Sequence, residues 1–143
     1  MKTVKIYTDG ACRGNPGLGG WGVLMVYETK EKKLYGGQKD TTNNQMELKA
    51  AIEGLKALSE PCFVELTTDS KYVMQGITQW IDNWQKNNWK TANKKDVKNK
   101  DLWIDLYNLN KSLSIQWNWV KAHDGNPLNE EVDLLAKKAA NLD

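Results

Sequence analysis

The spacing of apolar positions changes period several times along the chain. Residues 3 to 8 ("TVKIYT"), 21 to 28 ("WGVLMVYE"), 33 to 39, 62 to 68 ("CFVELTT") and 114 to 120 ("SIQWNWV") are runs of β-formers bounded by turn residues, and they predict strands. The first three are joined by the short links "GNPGLGG" and "ETKEK", which predict antiparallel neighbours. Between 43 and 58 the period becomes helical. Met46, Leu48, Ala51, Ile52, Leu55 and Leu58 recur at helical spacing behind an Asn or Thr cap. Further helices are predicted near 71 to 86, 101 to 111 and 126 to 142, the last amphipathic with a proline near its start.

A strand, helix, strand succession of this length requires a right-handed crossover, which sets the strand at 62 to 68 parallel to the first. The order βββ-α-β-α(αα)-β-α therefore predicts an α/β fold, a mixed sheet with helices packed on it. At 143 residues one domain is expected to carry everything. No apolar run reaches membrane-spanning length, and "MKTVKIYTDG" alternates lysine with apolar residues where a signal peptide needs an unbroken apolar core. An intracellular, soluble protein is the expectation. Cys12 and Cys62 lie far apart without metal-ligand spacing and read as reduced structural residues.

Net charge is only +2, yet the segment from Lys86 to Lys100 holds six lysines against one aspartate. Such asymmetry suits a polyanion meeting one side of the molecule, although on charge alone a solvated lysine-rich loop is the preferred reading. Trp80, Trp84 and Trp89 interleave with Lys86, Lys90, Lys94, Lys95 and Lys98. Aromatic faces among lysines can line a groove for a nucleic-acid backbone, whereas tryptophans at helical spacing are otherwise core residues.

The acidic residues suggest where chemistry is done. Asp9 follows the first strand in "YTDG" and Asp69 follows the fourth in "TTDS", at the carboxyl ends where open α/β sheets bind ligands. Glu47 is placed in the first turn of the crossover helix, and Asp133 borders the apolar face of the last helix. Singly, each reads as a turn former, a cap or a dipole partner. Together they would repel unless cations neutralise them or some stay protonated. Oxygen-only ligand sets suit magnesium or manganese acting on phosphoryl groups.

Four stretches, "YTDGACRGNPG", "TTNNQMELKAAI", "TTDSKYVMQGITQWIDNWQKNNWK" and "WVKAHDGNPLNEEVDLLA", occur in the order found in bacterial type 1 ribonuclease H, which the chain resembles from about residue 3 to 140. The resemblance implies the ribonuclease H-like fold: a five-stranded mixed sheet, three strands antiparallel and then two parallel, with helices on both faces. Residues 1 to 143 would form a single catalytic domain with a basic handle at about 80 to 100. The implied activity is endonucleolytic hydrolysis of the RNA strand of RNA/DNA hybrids, leaving a 5′-phosphate and a 3′-hydroxyl. A non-catalytic hybrid-binding module is the alternative. The cofactor implied is Mg²⁺, with Mn²⁺ as substitute, and the protein is expected to be a cytoplasmic monomer with no membrane partner.

By the same resemblance Asp9, Glu47, Asp69 and Asp133 are metal-binding and catalytic. Cys12, Asn15, Asn43, Asn44 and Gln75 are expected at the minor groove and its 2′-hydroxyls, and Thr42 and Asn99 at a DNA phosphate. Trp80, Trp84, Lys86, Lys90, Lys94, Lys95 and Lys98 would follow the DNA strand. His123, the only histidine, would carry a proton to the leaving oxygen or help product depart. Asp40, Lys71 and Ala122 depart from residues common in relatives, where arginine, glutamine and glycine are frequent. Asp40 is expected to weaken capture of the DNA phosphate, and Lys71 adds a cation near the RNA.

Overall fold

The computed structural model describes residues 1–122 and 125–141. Five strands, β1 (Thr3–Gly14), β2 (Gly17–Tyr27), β3 (Lys30–Thr41), β4 (Phe63–Thr68) and β5 (Ser114–Trp119), form one sheet in the order β3-β2-β1-β4-β5. The β1, β2 and β3 pairings are antiparallel, while β4 runs parallel to β1 and β5 parallel to β4. The predicted mixed sheet is therefore present, with every expected strand in its place.

Helix α1 (Asn43–Lys56) crosses from β3 to β4, α2 (Lys71–Gln75) follows β4, and a π-helical turn (Gly76–Trp80) leads straight into α3 (Ile81–Lys86). Helix α4 (Lys100–Ser112) precedes β5, and α5 (Pro127–Ala139) closes the described chain. The α1 face holds the larger core, in which Ile6, Leu48, Leu55, Val64, Leu66, Trp103 and Leu106 are buried. Pleating sets the other face: Gly54 of α1 lies against Ile6 and Val23, whereas Gly22, the neighbour of Val23, meets Val132, Leu135 and Ala136 of α5. Helices therefore cover both faces, as the resemblance implies.

The strand boundaries differ from the expected ones around the glycines. "GNPGLGG" reads as a link, but β1 runs to Gly14 and β2 starts at Gly17, so only two residues turn the chain. The physical reason lies on the α5 face. A Cβ built at Gly20 would stand 2.3 Å from the Ala136 carbonyl oxygen, so this glycine permits close helix packing on β2, whose pairing with β3 shifts register between Gly17 and Gly19 without ending the strand. Gly20→Ala is expected to lower stability by about 1–3 kcal/mol through overpacking, with the strand pairing itself retained. Thermal denaturation monitored by circular dichroism checks this, and an unchanged melting temperature would show that α5 can retreat.

Candidate active site

The register of β1 with β4 ends at Thr8 opposite Thr68, so Asp9 and Asp69 are the next residue on each parallel chain. Asp9 is not beyond its strand, as the sequence suggests. It lies inside β1, paired with Gly22 on the far side while β4 has already ended. Sharing a face with Gly22, it is directed towards α5, which carries Asp133. Gly10, the next residue, is on the α1 face. A Cβ there would be 2.5 Å from the Glu47 backbone nitrogen, so only glycine admits α1 this close. Strand β1 thus collects one carboxylate from each flanking helix.

Glu47 is in the second turn of α1, not the first, and no acidic residue stands in the first turn. The helix dipole therefore does not account for it. It is 5% exposed, and its burial requires another explanation. One oxygen each of Asp9, Glu47 and Asp69 can lie within 4.8 Å of the others. Asp9 Oδ1 accepts the Gly10 amide at 2.9 Å, while Asp9 Oδ2 and Glu47 Oε1 are buried without a hydrogen-bond partner among the described residues. Asp133 stands beside Asp9, and its Oδ2 takes Lys137 Nζ at 2.9 Å.

This arrangement is electrostatically costly. Burial, then the Asp69 charge, then Asp133 push the Asp9 carboxyl up to about 9, and burial, then Asp9 and Asp69, raise Glu47 well above the usual range. A buried oxygen-only cluster with orphaned acceptors fits a hard divalent cation, whose charge would restore the ionised forms. The four carboxylates line one cleft of about 360 Å³ with Asn43, Asn44, Ser70, Lys71, Tyr72 and Ala122.

Of the remaining expected residues, Asn43 and Asn44 line this cleft, and the other described ones do not. Thr42 caps α1, its Oγ1 accepting from the Gln45 amide at 3.2 Å, and Asn43 and Asn44 are exposed on the first turn. Cys12 is half-buried and donates to the Thr41 carbonyl, and Asn15 is exposed in the β1–β2 turn. Gln75 is exposed at the end of α2. The π-helical turn between Gln75 and Ile81 carries Trp80. Trp80 and Trp84 are half-buried, with ring centroids 5.7 Å apart, and Trp84 rests on fully buried Trp103. Their outer edges remain available.

Trp89 is different: it packs edge-on against Tyr107 and belongs to the handle's own support, together with buried Val97. Lys86, Lys90, Lys94, Lys95 and Lys98 are all exposed, with Lys90 tied to Asp96. His123 lies outside the described residues. Among the sequence-inferred carboxylates the structure therefore brings all four to one cleft. Sequence reasoning missed Gln45, Tyr72 and buried Asn129, whose Oδ1 also has no partner among the described residues. Their signal was present only as unremarkable polar residues flanking the motifs.

A five-stranded mixed sheet with this acidic cluster at the ends of its parallel strands defines a divalent-metal-dependent hydrolase of the ribonuclease H-like class. Comparison with known proteins narrows the class. The family model described as RNase H matches residues 1–141. Ribonuclease H of Alcanivorax borkumensis is 60% identical over 138 residues, covering 96% of this chain and 91% of that protein. Ribonuclease H of Erythrobacter litoralis is 58% identical, covering 99% of both chains. The crystal structure of LC9-RNase H1, a type 1 RNase H with the type 2 active-site motif, superposes with a TM-score of 0.88 at 30% identity, covering 98% of this chain and 72% of that one. The chain belongs to the ribonuclease H family and is an endonuclease with a metal-dependent active site.

The raised carboxyl groups give stability a definite dependence on pH. Asp9 keeps its proton in the folded state up to about pH 9 but loses it near 3.8 when unfolded, so folding binds a proton between those limits. Metal-free stability should therefore fall as pH rises from 5 to 9, by up to about 1.4 kcal/mol per unit for each such proton. Asp9→Asn should flatten part of this slope and melt higher than wild type at pH 8 in chelator. Melting curves across pH with and without chelator provide the check, and a flat wild-type profile would refute the burial cost.

Proposed function

We propose that the protein hydrolyses the RNA strand of RNA/DNA hybrids endonucleolytically with Mg²⁺ as cofactor and Mn²⁺ as substitute, acting as a cytoplasmic monomer and leaving 5′-phosphate and 3′-hydroxyl ends. The observation that carries this reading is the meeting of Asp9, Glu47 and Asp69 within 4.8 Å, with Asp133 alongside and two buried oxygens unpartnered. These four residues would hold the metal. A bound divalent ion supplies charge neutralisation for the scissile phosphate and lowers the pKa of water at the site.

The chain's own residues supply selection and placement. Asn43 and Asn44 each offer a donor and an acceptor at the cleft mouth, the chemistry needed to recognise a 2′-hydroxyl, and Cys12, Asn15 and Gln75 extend that surface along the minor groove. Thr42 and Asn99 take a DNA phosphate. Trp80 and Trp84 present ring edges to the DNA sugars, while Lys86, Lys90, Lys94, Lys95 and Lys98 follow the backbone. His123 moves a proton towards the leaving oxygen. The second reading, a hybrid-binding module without catalysis, is opposed by the presence of all four carboxylates.

Strand-labelled RNA/DNA hybrid, double-stranded RNA and double-stranded DNA, each with Mg²⁺, Mn²⁺ or chelator, test the proposal. RNA of the hybrid alone should be cut, and only with metal. Asp9→Asn and Asp69→Asn should abolish cleavage while hybrid binding persists. Near-normal turnover of either mutant would reject the assignment, and binding without cleavage by wild type would favour the module. His123→Ala should lower kcat by roughly 100-fold with little change in KM. A kcat equal to wild type across neutral pH would reduce that residue to a connector.

A further inference from the structure

The α1 cap and the base of the handle are joined by a chain of side-chain hydrogen bonds in which every donor can be assigned. Gln45 Oε1 accepts from Thr41 Oγ1 at 2.8 Å and from the Thr42 backbone amide at 3.3 Å. A backbone N–H only donates, so the Gln45 carbonyl must face the cap and its amide nitrogen must face outward. That nitrogen donates to Asn99 Oδ1 at 3.1 Å. The Asn99 carbonyl is thereby occupied, and its Nδ2 donates one proton to the Tyr72 hydroxyl at 3.1 Å, where Trp103 Nε1 also donates at 2.9 Å. Asn99 itself is held at φ 60° in front of α4, with its side chain making no cap.

This leaves the second Nδ2 proton of Asn99 without a protein acceptor among the described residues. Gln45, Asn99 and Lys100 border a shallow depression of about 480 Å³, with Asp96 and Asp101 also on its lining. We propose that Gln45 and Tyr72 are positioning residues that lock the Asn99 amide so that it presents an N–H, not a carbonyl, to a phosphate of the DNA strand. The inference rests on the hybrid-nuclease reading and adds a cause for its selectivity. An unlocked asparagine could turn its carbonyl to the phosphate as readily as its amide, and only the amide attracts an anion. Because Gln45 lies two residues before Glu47 on α1, the element holding the catalytic carboxylate also sets the amide that would read the DNA strand.

The test separates positioning from folding. Gln45→Met keeps the volume and loses all three side-chain bonds, to Thr41, Thr42 and Asn99. Gln45→Glu keeps the capping-box acceptor for the Thr42 amide, and so the stability, but cannot donate to Asn99. Tyr72→Phe removes the acceptor at the other end. All three should raise KM for hybrid roughly tenfold, the scale of a hydrogen bond to a charged group, with kcat near wild type in the two Gln45 variants. The dependence of log affinity on log salt, read from the Kd for labelled hybrid in chelator, should become shallower by about 0.9 in Gln45→Met, as for one lost phosphate contact. In an Asn99→Ala background, Gln45→Met should add nothing. Wild-type KM and salt slope in Gln45→Met, or an undiminished effect beside Asn99→Ala, would overturn the lock, as would wild-type KM in a stable Gln45→Glu. Failure of wild type to cut hybrid would instead strike the nuclease reading, and the Kd series would still decide the lock.

Discussion

The parallel register of β1 with β4 is the constraint on which the site depends. Pairing that ends at Thr8 and Thr68 delivers two aspartates to the same level, where the chains separate. A slip of one residue would turn every side chain of β1 to the other face, sending Asp9 towards α1 and removing the opening at Gly10. The hydrophobic alternation of Ile6 and Val4 against Val64 and Leu66 holds that register through burial. Catalytic geometry is thus specified by packing several residues away from it.

The cleft also concentrates free energy of the wrong sign for folding. Carboxylates placed this close, two of them buried, stay partly protonated without metal, and the hydrogen bonds near them are few. Lys137 pairs with Asp133 and acts on Asp9 more weakly, through charge alone. The larger core on the α1 face, with Trp103 and Leu106 fully buried beneath the handle, stabilises what the acidic cleft destabilises. A divalent cation then acts on both accounts at once, because the ligand geometry that binds it is the same geometry that costs stability.

Much of this was legible in the residues alone. The helical period from Met46 to Leu55 and the β-runs at "TVKIYT" and "CFVELTT" identify the crossover unit, and that unit places Asp9 beside Asp69 by handedness. Glycine obscured the rest. In a linear reading Gly14, Gly17, Gly19 and Gly20 mark a loop, while in three dimensions Gly20 makes room for α5 and Gly19 for Thr41 and Met46. Glu47 was found, but it was placed in the first turn, where the helix dipole alone would account for it; it stands in the second turn, at the level where the α1 backbone closes on Gly10. Gln45 was invisible as a functional candidate because its partner Asn99 is 54 residues away along the chain, and Asn99 in turn meets Tyr72 across 27 residues. Long-range hydrogen bonding leaves no periodic trace.

Within the handle, burial is concentrated in a few residues. Trp89 and Val97 anchor it, and the backbone closes on itself through Val97 N to the Trp89 carbonyl and Thr91 N to the Lys95 carbonyl. Every residue from Lys90 to Asp96 is exposed. The handle is therefore structurally modular: the stretch from Lys90 to Asp96 can change in charge and length while its two anchors and the sheet that carries the acidic cluster remain untouched.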